Sequence, residues 1–370
     1  MGTSTSTPKE PQSSSGKMLG FISGLILILG LAFIARWLKL LVYDAQFPMG
    51  IPGKALEYPL WAALVGLAAN WILKVTNTYN FVRTGFRTEL FLKIGLVLLG
   101  TTISFKTILT AASGAIIQGI IMVTLVYLFC WWLAGKFGLP YKLKAIMSAA
   151  IAVCGVSAAI AAAGSVRARK EEITYITALV ILTALPLMVI SPLLAGWMGL
   201  TQPVAGAWFG GNVDTTAAVV GAGTIYGETA QKVASIVKSA QNTLIGVVAF
   251  LLAIYAATRS EEKGEKPSPV IIWQRFPKFV LGFLVASFLF TFGVIVKDSD
   301  AAKAITALKD WAFCLAFVSM GLELSAGEFK KMGWSPVIVY LVVTLFNTLL
   351  ALGLAWLIFG VLLPVNILEI

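Results

Sequence analysis

The sequence predicts an all-α polytopic membrane protein with about 10–11 transmembrane helices. Hydrophobic residues make up 58% of the 370 positions, charged residues only 12%, and the mean hydropathy is +0.89. A soluble domain carries about 25% charged residues, because water must solvate its surface. Long apolar segments also recur along almost the whole chain. A backbone in lipid must satisfy its own hydrogen bonds, so these segments are predicted to be helices.

The polar residues 1–17, rich in Ser, Thr and Pro, predict a disordered tail before a single membrane domain at 18–370. The first span covers 18–43; its apolar core is longer than that of a signal peptide and has no small-residue cleavage site. The other predicted spans are 56–75, 88–106, 110–135, 145–166, 173–198, 203–227, 231–257, 276–297, 303–325 and 334–362. The stretch 258–275 is the clearest hydrophilic loop.

Several classes of function are disfavoured by what the sequence lacks. It contains no histidine, and its three cysteines stand apart within apolar stretches, which argues against zinc chemistry and a disulfide framework. The net charge of +11 comes from scattered residues without a nucleic-acid-binding motif, so no nucleic-acid partner is expected. No nucleotide-binding loop or paired acids suggest an enzyme or a pump. No cofactor is expected beyond a coupling sodium ion or proton.

The distribution of Lys and Arg predicts a multi-pass protein of the bacterial inner membrane with a cytoplasmic N-terminus. With alternating spans, 16 of the 28 basic residues fall on the side of the N-terminus. Arg167, Arg169 and Lys170 fall on the opposite side and weaken the bias. Lipid is the expected surroundings, and the sequence leaves a monomer and a homodimer open.

Two stretches resemble copies of one another, GLVLLGTTISFKTIL around Gly100 and AFVSMGLELSAGEFK around Gly321. They lie seven predicted spans apart, and an odd separation means opposite directions across the membrane, as in inverted repeats. This predicts repeat halves at about 56–198 and 203–362. The uncharged cores 94–105 and 311–322 rise only about 18 Å, against about 30 Å of hydrocarbon. Paired short segments of this kind point to a midplane site.

A second pair consists of CGVSAAIAAAG, beginning at Cys154, and VDTTAAVVGAG, beginning at Val213. The two lie only two predicted spans apart, so they would run parallel unless one is broken or re-entrant. Gly155 could interrupt the first helix and expose backbone groups at Cys154 and Ser157. The alternative is that helices rich in small residues merely pack closely and resemble one another by chance.

Asp214 is the most informative single residue, because it lies near the middle of the predicted span 203–227. An ionised carboxylate there costs at least about 2.5 kcal/mol on insertion scales, so it must face protein, water or a cation. Asn212, Thr215 and Thr216 add the oxygen donors that sodium requires. The alternative is a structural carboxylate paired with a lysine of a neighbouring helix.

Other candidate binding residues flank the predicted midplane. Lys238, followed by Asn242 in VKSAQNT, suits an anion site, an ion pair with Asp214, or a lysine that snorkels to the interface. Glu323 ends a short core and is either functional or a solvated helix end.

At CGVSAAIAAAG, GNVDTTAAVVGAG, the Lys238 helix and SMGLELS, the chain resembles the YeiH-type sulfate exporter family. The most specific motif comprises Cys154, Gly155, Ser157 and Ala158. The resemblance implies a fold like that of the bile-acid symporter and sodium/proton antiporter group, with inverted repeats, broken crossing helices and a core domain that moves against a panel domain. Many members have a His-Glu pair and a Gln where this chain has Asp214, Thr215 and Ala218, and an Arg in place of Gln241, which disfavours a divalent anion.

The sequence therefore predicts an ion-coupled secondary transporter of a small anion, such as sulfate, a sulfonate or an organic acid. Sodium or a proton would bind at Asp214, and the substrate would bind near Cys154, Asp214 and Glu323. An ion channel and a carrier of a neutral solute are the alternatives.

Overall fold

The computed structural model describes residues 14–42, 58–259, 270–275, 278–296, 299–323 and 333–363. These residues form helices joined by turns, with no strand among them. The helices are α1 (Ser14–Val42), α2 (Tyr58–Val75), α3 (Tyr79–Val82), α4 (Thr88–Gly100), α5 (Phe105–Lys136), α6 (Tyr141–Ala149), α7 (Val156–Ser165), α8 (Lys170–Trp197), α9 (Gln202–Asn212), α10 (Thr216–Tyr226), α11 (Glu228–Thr243), α12 (Ile245–Arg259), α13 (Val270–Arg275), α14 (Phe279–Thr291), α15 (Asp300–Leu322) and α16 (Ser335–Ala355).

Seven helical segments in this part of the chain are long and apolar enough to cross a membrane, which confirms a polytopic membrane protein. They are Gly16–Val42, Tyr58–Val75, Ile108–Lys136, Glu171–Trp197, Glu228–Ala256, Asp300–Leu322 and Ser335–Leu362. The shorter helices α4 and α14 have 13 residues each. The predicted tail differs from the structure in one respect, because α1 already begins at Ser14. The remainder of that tail, and most of the predicted loop 258–275, lie outside the described residues.

The predicted span 145–166 is a hairpin that turns back on itself. Lys142 Nζ, at the start of α6, donates a 2.9 Å hydrogen bond to the carbonyl oxygen of Arg167, just beyond the end of α7. A continuous helix between these residues would separate them by about 38 Å. The turn is a wide π-helical stretch, Ala150–Cys154, followed by Gly155 at φ +66°. We call residues 141–165 the first hairpin.

The predicted span 203–227 is a second hairpin, residues 202–226. Gln202 Oε1, at the start of α9, accepts hydrogen bonds from the amides of Thr229 (3.0 Å) and Ala230 (3.4 Å), which follow α10. The turn lies at Val213–Thr215, where the backbone leaves the helical conformation. Since α8 has 28 residues and joins the end of one hairpin to the start of the other, the two hairpins enter from opposite faces.

These hairpins correct two expectations drawn from unbroken spans. The second arms, α7 and α10, run in opposite directions, so the second pair of similar sequences is antiparallel although only two predicted spans separate its members. The first hairpin also returns Arg167 to the face of Lys142, together with Arg169 and Lys170 at the start of α8. These three basic residues therefore lie on the same side as the majority of the Lys and Arg residues, not on the opposite side.

The helices pack as two bundles. The first bundle contains α1–α4, α14 and α15; α15 packs on α2 and α4, and α14 packs on α4. The second bundle contains α5–α12 and α16, with α11 against α5, α9 and α10. Contacts between the bundles are sparse and involve mainly α10 with α15 and α5 with α14.

Glycines allow close helix packing inside the first bundle at two related positions. A Cβ atom on Gly100 of α4 would collide with the carbonyl oxygen of Phe283 in α14. A Cβ atom on Gly321 of α15 would collide with the carbonyl oxygen of Ala63 in α2. Gly100 and Gly321 are the two residues that the sequence comparison aligned, and each lies against the helix that precedes the other copy.

Candidate functional site

The tips of the two hairpins touch. A Cβ atom on Gly155 would lie 3.3 Å from the carbonyl oxygen of Asp214 and 3.4 Å from Cγ2 of Thr215. The broken segments that the sequence singled out are therefore brought together at their breaks. They meet tip to tip as opposed hairpins, a refinement of the broken crossing helices that the resemblance implied.

Lys238 stabilises the turn of the first hairpin. Its Nζ donates to the carbonyl oxygen of Val153 at 2.7 Å and to Gln241 Oε1 at 3.0 Å, and Gln241 Nε2 donates to the carbonyl oxygen of Ala152 at 2.8 Å. The helix ends at this turn, so its last carbonyl oxygens have no amide donors within the helix. A positive charge beside them is favourable because the carbonyl end of a helix carries partial negative charge. Among the described residues no ion pair joins Lys238 to Asp214. Because Lys238 is 1% exposed, it does not snorkel to an interface either.

Asp214 is fully enclosed behind the tip of the second hairpin, with 1% of its surface exposed. Its Oδ2 accepts a 2.6 Å hydrogen bond from the Tyr340 hydroxyl and a 3.4 Å bond from Thr183 Oγ1. Its Oδ1 is buried without a protein partner. The carboxylate thus holds α16 and α8 against the hairpin tip and retains one free acceptor.

The side chain of Asn212 fastens the same tip to α16. Its Oδ1 accepts from Thr348 Oγ1 at 2.6 Å, and its backbone carbonyl accepts from Asn347 Nδ2 at 2.8 Å. Asn347 Oδ1 and Thr344 Oγ1, on the same face of α16, are buried without hydrogen-bond partners. Three unpaired oxygen atoms, including Asp214 Oδ1, therefore belong to this packed region around the second tip.

Two helix N-termini begin at the tips. The first intrahelical bond of α7 runs from the amide of Ala159 to the carbonyl of Gly155, so the amides of residues 156–158 have no acceptor within their helix. In α10, Thr215 is the N-cap and accepts from the amide of Ala218 at 3.2 Å. Both N-termini carry partial positive charge and are suited to an anion.

Two adjoining cavities of about 410 and 460 Å³ lie between the first bundle and the hairpin tips. The residues that line both are Glu89, Leu92, Lys93, Cys154, Ser157 and Thr216. Asn242 lines the smaller cavity, and Thr215 and Glu323 line the larger one. Asn242 Nδ2 donates to Thr216 Oγ1 at 3.1 Å, whereas its Oδ1 is buried without a protein partner.

The structure thus divides the predicted site residues into two groups. Those lining the cavities are Cys154, Ser157, Thr215, Thr216, Asn242 and Glu323. Those lying behind or within the tips, and not lining these two cavities, are Gly155, Asn212, Asp214 and Lys238.

Sequence reasoning missed two important side chains, Glu89 and Tyr340. Glu89, with Lys93 one turn later, begins a short span and looks like a solvated helix start. Tyr340 is an aromatic residue in a long apolar span, although Thr344 and Asn347 follow it at helical spacing. That polar stripe is the signal that could have marked α16 as a lining helix.

The profile of the family described as Conserved hypothetical protein 698 matches residues 23–340. The chain belongs to this family. Its relatives are named UPF0324 membrane proteins. The resemblance that the Cys154–Ala158 motif indicated is therefore confirmed at the level of the family.

Three relatives show how far the likeness extends. A UPF0324 membrane protein of Nitratidesulfovibrio vulgaris is 34% identical over 95% of this chain and 65% of its own length. One of Rhodopirellula baltica is 36% identical over 94% of this chain and 64% of its own. The UPF0324 membrane protein TauZ of Paracoccus denitrificans is 30% identical over 78% of this chain and 84% of its own. The chain thus spans just under two thirds of the first two relatives. No solved structure matches it.

Proposed function

We propose that this protein is a secondary transporter of a small anion, coupled to a cation and working by alternating access. The observation that carries the proposal is the meeting of two opposed re-entrant hairpins beside cavities between two bundles that have charged and polar side chains in their lining. Irregular backbone at membrane depth is tolerated only where protein or a water-filled cavity surrounds it. Broken helices in inverted repeats are the usual substrate site of secondary transporters.

An anion is favoured as the substrate because two positive helix ends converge on the cavities. The first-turn amides of α7, which have no acceptor within their helix, begin beside Ser157, and α10 begins at Thr216. Asn242 lines the smaller cavity, and its Oδ1 has no hydrogen-bond partner. If the amide is rotated by about 180°, Oδ1 accepts from the Thr216 hydroxyl and Nδ2 becomes the atom available to donate to an anion. Lys93, which is paired with Glu89 in this structure, adds a positive charge to the lining. A neutral solute would leave these donors without a charged acceptor.

The coupling ion would bind at Asp214. Its free Oδ1, Asn347 Oδ1 and Thr344 Oγ1 are the kind of oxygen ligands that a sodium ion takes, and a proton on Oδ1 would serve the same purpose. Either cation would neutralise a carboxylate that is otherwise costly at this depth. Since Asp214 supports the tip that contacts Gly155, occupancy by the cation would be communicated to the substrate cavity.

Alternating access would arise from movement of the second bundle, which contains both hairpins, against the first. The sparse contacts between the bundles make such a movement less costly than one within either bundle. Glu89 and Glu323 belong to the first bundle and Ser157 and Thr216 to the second, so the cavity would change shape as the bundles move. The related packing of Gly100 and Gly321 supports inverted repeats. The order within the repeats differs, because the first hairpin follows the Gly100 copy in the chain whereas the second hairpin precedes the Gly321 copy.

The corrected positions of the basic residues support an orientation for this transporter. Lys136, Lys142 and Lys144 share a face with Arg167 and Arg169, and the positive-inside rule assigns this face to the cytoplasm of a bacterial cell. Helices α11 and α12 lead back to that face, and Lys278, which follows them, lines the smaller cavity. The cavity therefore would open to the cytoplasm in this conformation.

Purified protein in proteoliposomes tests the proposal. A thermal-shift screen of sulfate, sulfite, sulfonates and carboxylates, with and without sodium, would first select a ligand. Uptake of that ligand should saturate, and an unlabelled internal pool should accelerate entry of radiolabelled external ligand. Non-saturating flux without this counterflow would show a channel and overturn the proposal.

A further inference from the structure

The carboxylate of Glu89 lies at the N-terminus of α7, where the proposed anion would bind. Glu89 Oε1 accepts a 2.8 Å hydrogen bond from Ser157 Oγ, and Oε2 pairs with Lys93 Nζ at 2.8 Å. Glu89 belongs to the first bundle and Ser157 to the second, so this bond bridges the cavity. The Glu89 side chain is 52% exposed, which leaves it free to swing away from Ser157.

We propose that Glu89 is a built-in competitor of the transported anion, displaced from α7 when it takes up a proton. Each anion that binds would then bring one proton with it. The inference rests on the proposed function, because it assigns a second ligand, a proton, to the same substrate cavity.

The chemistry follows from what the N-terminus of α7 can accept. Its first-turn amides and the Ser157 hydroxyl are donors, and the ionised Glu89 carboxylate is the acceptor now bonded to that hydroxyl. An anion in the same cavity would be repelled by that carboxylate. Protonation removes the charge of Glu89 and frees Ser157 to donate to the anion. It also releases Lys93 from its ion pair, so that Lys93 can pair with the anion.

Five other charged or titratable side chains share the two cavities with Glu89. The charged or titratable side chains that line the two cavities with it are Arg87, Lys93, Cys154, Lys278 and Glu323. Glu323 is the other carboxylate, but it lines only the larger cavity, whereas Glu89 lines both and bonds α7 directly. The basic side chains among them favour an anion in these cavities.

Calorimetric titration of the purified protein with sulfate and with methanesulfonate tests the inference, because neither anion titrates near neutral pH. Repeating the titration in buffers of different ionisation enthalpy counts the protons taken up. The wild type should take up about one proton per anion above the titration of Glu89, and its affinity should fall about tenfold per pH unit there. Glu89→Gln, which is neutral at all pH, should take up about one proton fewer per anion than the wild type and should lose the part of the pH dependence that Glu89 contributes.

Glu228→Gln is the matched control. Glu228 also begins a helix and pairs with the lysine one turn later, at 2.8 Å, but it lies at the base of the second hairpin. This variant should keep the proton uptake of the wild type. Equal proton uptake by the wild type and Glu89→Gln would overturn the inference.

A second measurement tests, without a bound anion, whether Glu89 repels anions from the N-terminus of α7. Ile160→Cys places a thiol on α7 at a site that is 48% exposed and lines the smaller cavity, whereas native Cys154 is only 6% exposed. Glu89→Gln should raise several-fold the rate at which an anionic methanethiosulfonate modifies this thiol, relative to a neutral reagent. If neither anion binds but this ratio rises, the anion substrate is rejected and the position of Glu89 is upheld. An unchanged ratio would reject the competitor.

Discussion

The hydroxyl of Tyr340 donates a 2.6 Å hydrogen bond to Oδ2 of Asp214, joining α16 to the tip of the second hairpin. The only carboxylate deep in this hairpin therefore has one oxygen committed to structure and one without a protein partner. Charge and hydrogen bonding at Asp214 can be separated experimentally, because the charge belongs to the carboxylate whereas the hydrogen bond depends on the Tyr340 hydroxyl.

Asp214→Asn should abolish the sodium dependence of transport, or the part of its pH dependence that Asp214 contributes, while the protein stays folded, since the amide oxygen can still accept from Tyr340. Tyr340→Phe should do the reverse. It retains the charge, and hence cation dependence, but removes a hydrogen bond to a charged group and lowers stability by about 1.5–3 kcal/mol. Transport assays in proteoliposomes and thermal unfolding in detergent measure the two effects. Wild-type cation dependence in Asp214→Asn would assign Asp214 a structural role only.

Gly155→Ala should distort the turn of the first hairpin where it packs against α8 and the second tip. The residue has φ +66° and ψ −114°, a conformation that costs an alanine about 1–3 kcal/mol, and the new Cβ would lie 2.5 Å from Val180 Cγ1. We expect a lower unfolding temperature and loss of transport. Gly30→Ala is the control, because a Cβ there meets no atom within 4 Å. Equal stability of both variants would contradict the tight junction at Gly155.

Lys238→Met should destabilise the fold without removing the anion site. Methionine has a similar shape but leaves the Val153 carbonyl and Gln241 Oε1 without their donor, at a cost of about 1–3 kcal/mol for each buried group. Thermal unfolding should show this loss, whereas Lys303→Met, at a surface ion pair, should change little. Folded Lys238→Met protein should still bind the anion; selective loss of binding would return Lys238 to the substrate site.

Cysteine labelling distinguishes a hairpin from a membrane span at residues 141–165. Lys136→Cys and Arg169→Cys should react with an impermeant reagent from the same side of the membrane, and Thr201→Cys from the other. Replacing the native cysteines first removes background. If the segment crossed the membrane, Arg169→Cys would be labelled from the side opposite Lys136→Cys.

Much of the candidate site could be predicted from residue type alone. The sequence indicated that Gly155 could interrupt its helix and that Asp214 lies at depth, because glycines and polar groups inside apolar segments require special backbone or solvation. The environment of Lys238 was not predicted, because a lysine in a helix can pair with an anion, a carboxylate or a carbonyl oxygen. Only the packed turn of the first hairpin shows that its partners are the carbonyl oxygen of Val153 and Oε1 of Gln241.

The amino-acid sequence by itself determined that the chain is helical and membrane-embedded, and which polar residues lie at depth, because the cost of exposing charge and backbone to lipid depends on composition and segment length. Only the tertiary structure decided that two of the apolar segments turn back, that their tips meet, and that Glu89 faces Ser157. A hairpin and a span bury similar apolar surface, so hydropathy cannot tell them apart. The difference lies in contacts between residues far apart in the chain, such as those made by Lys142 and Gln202.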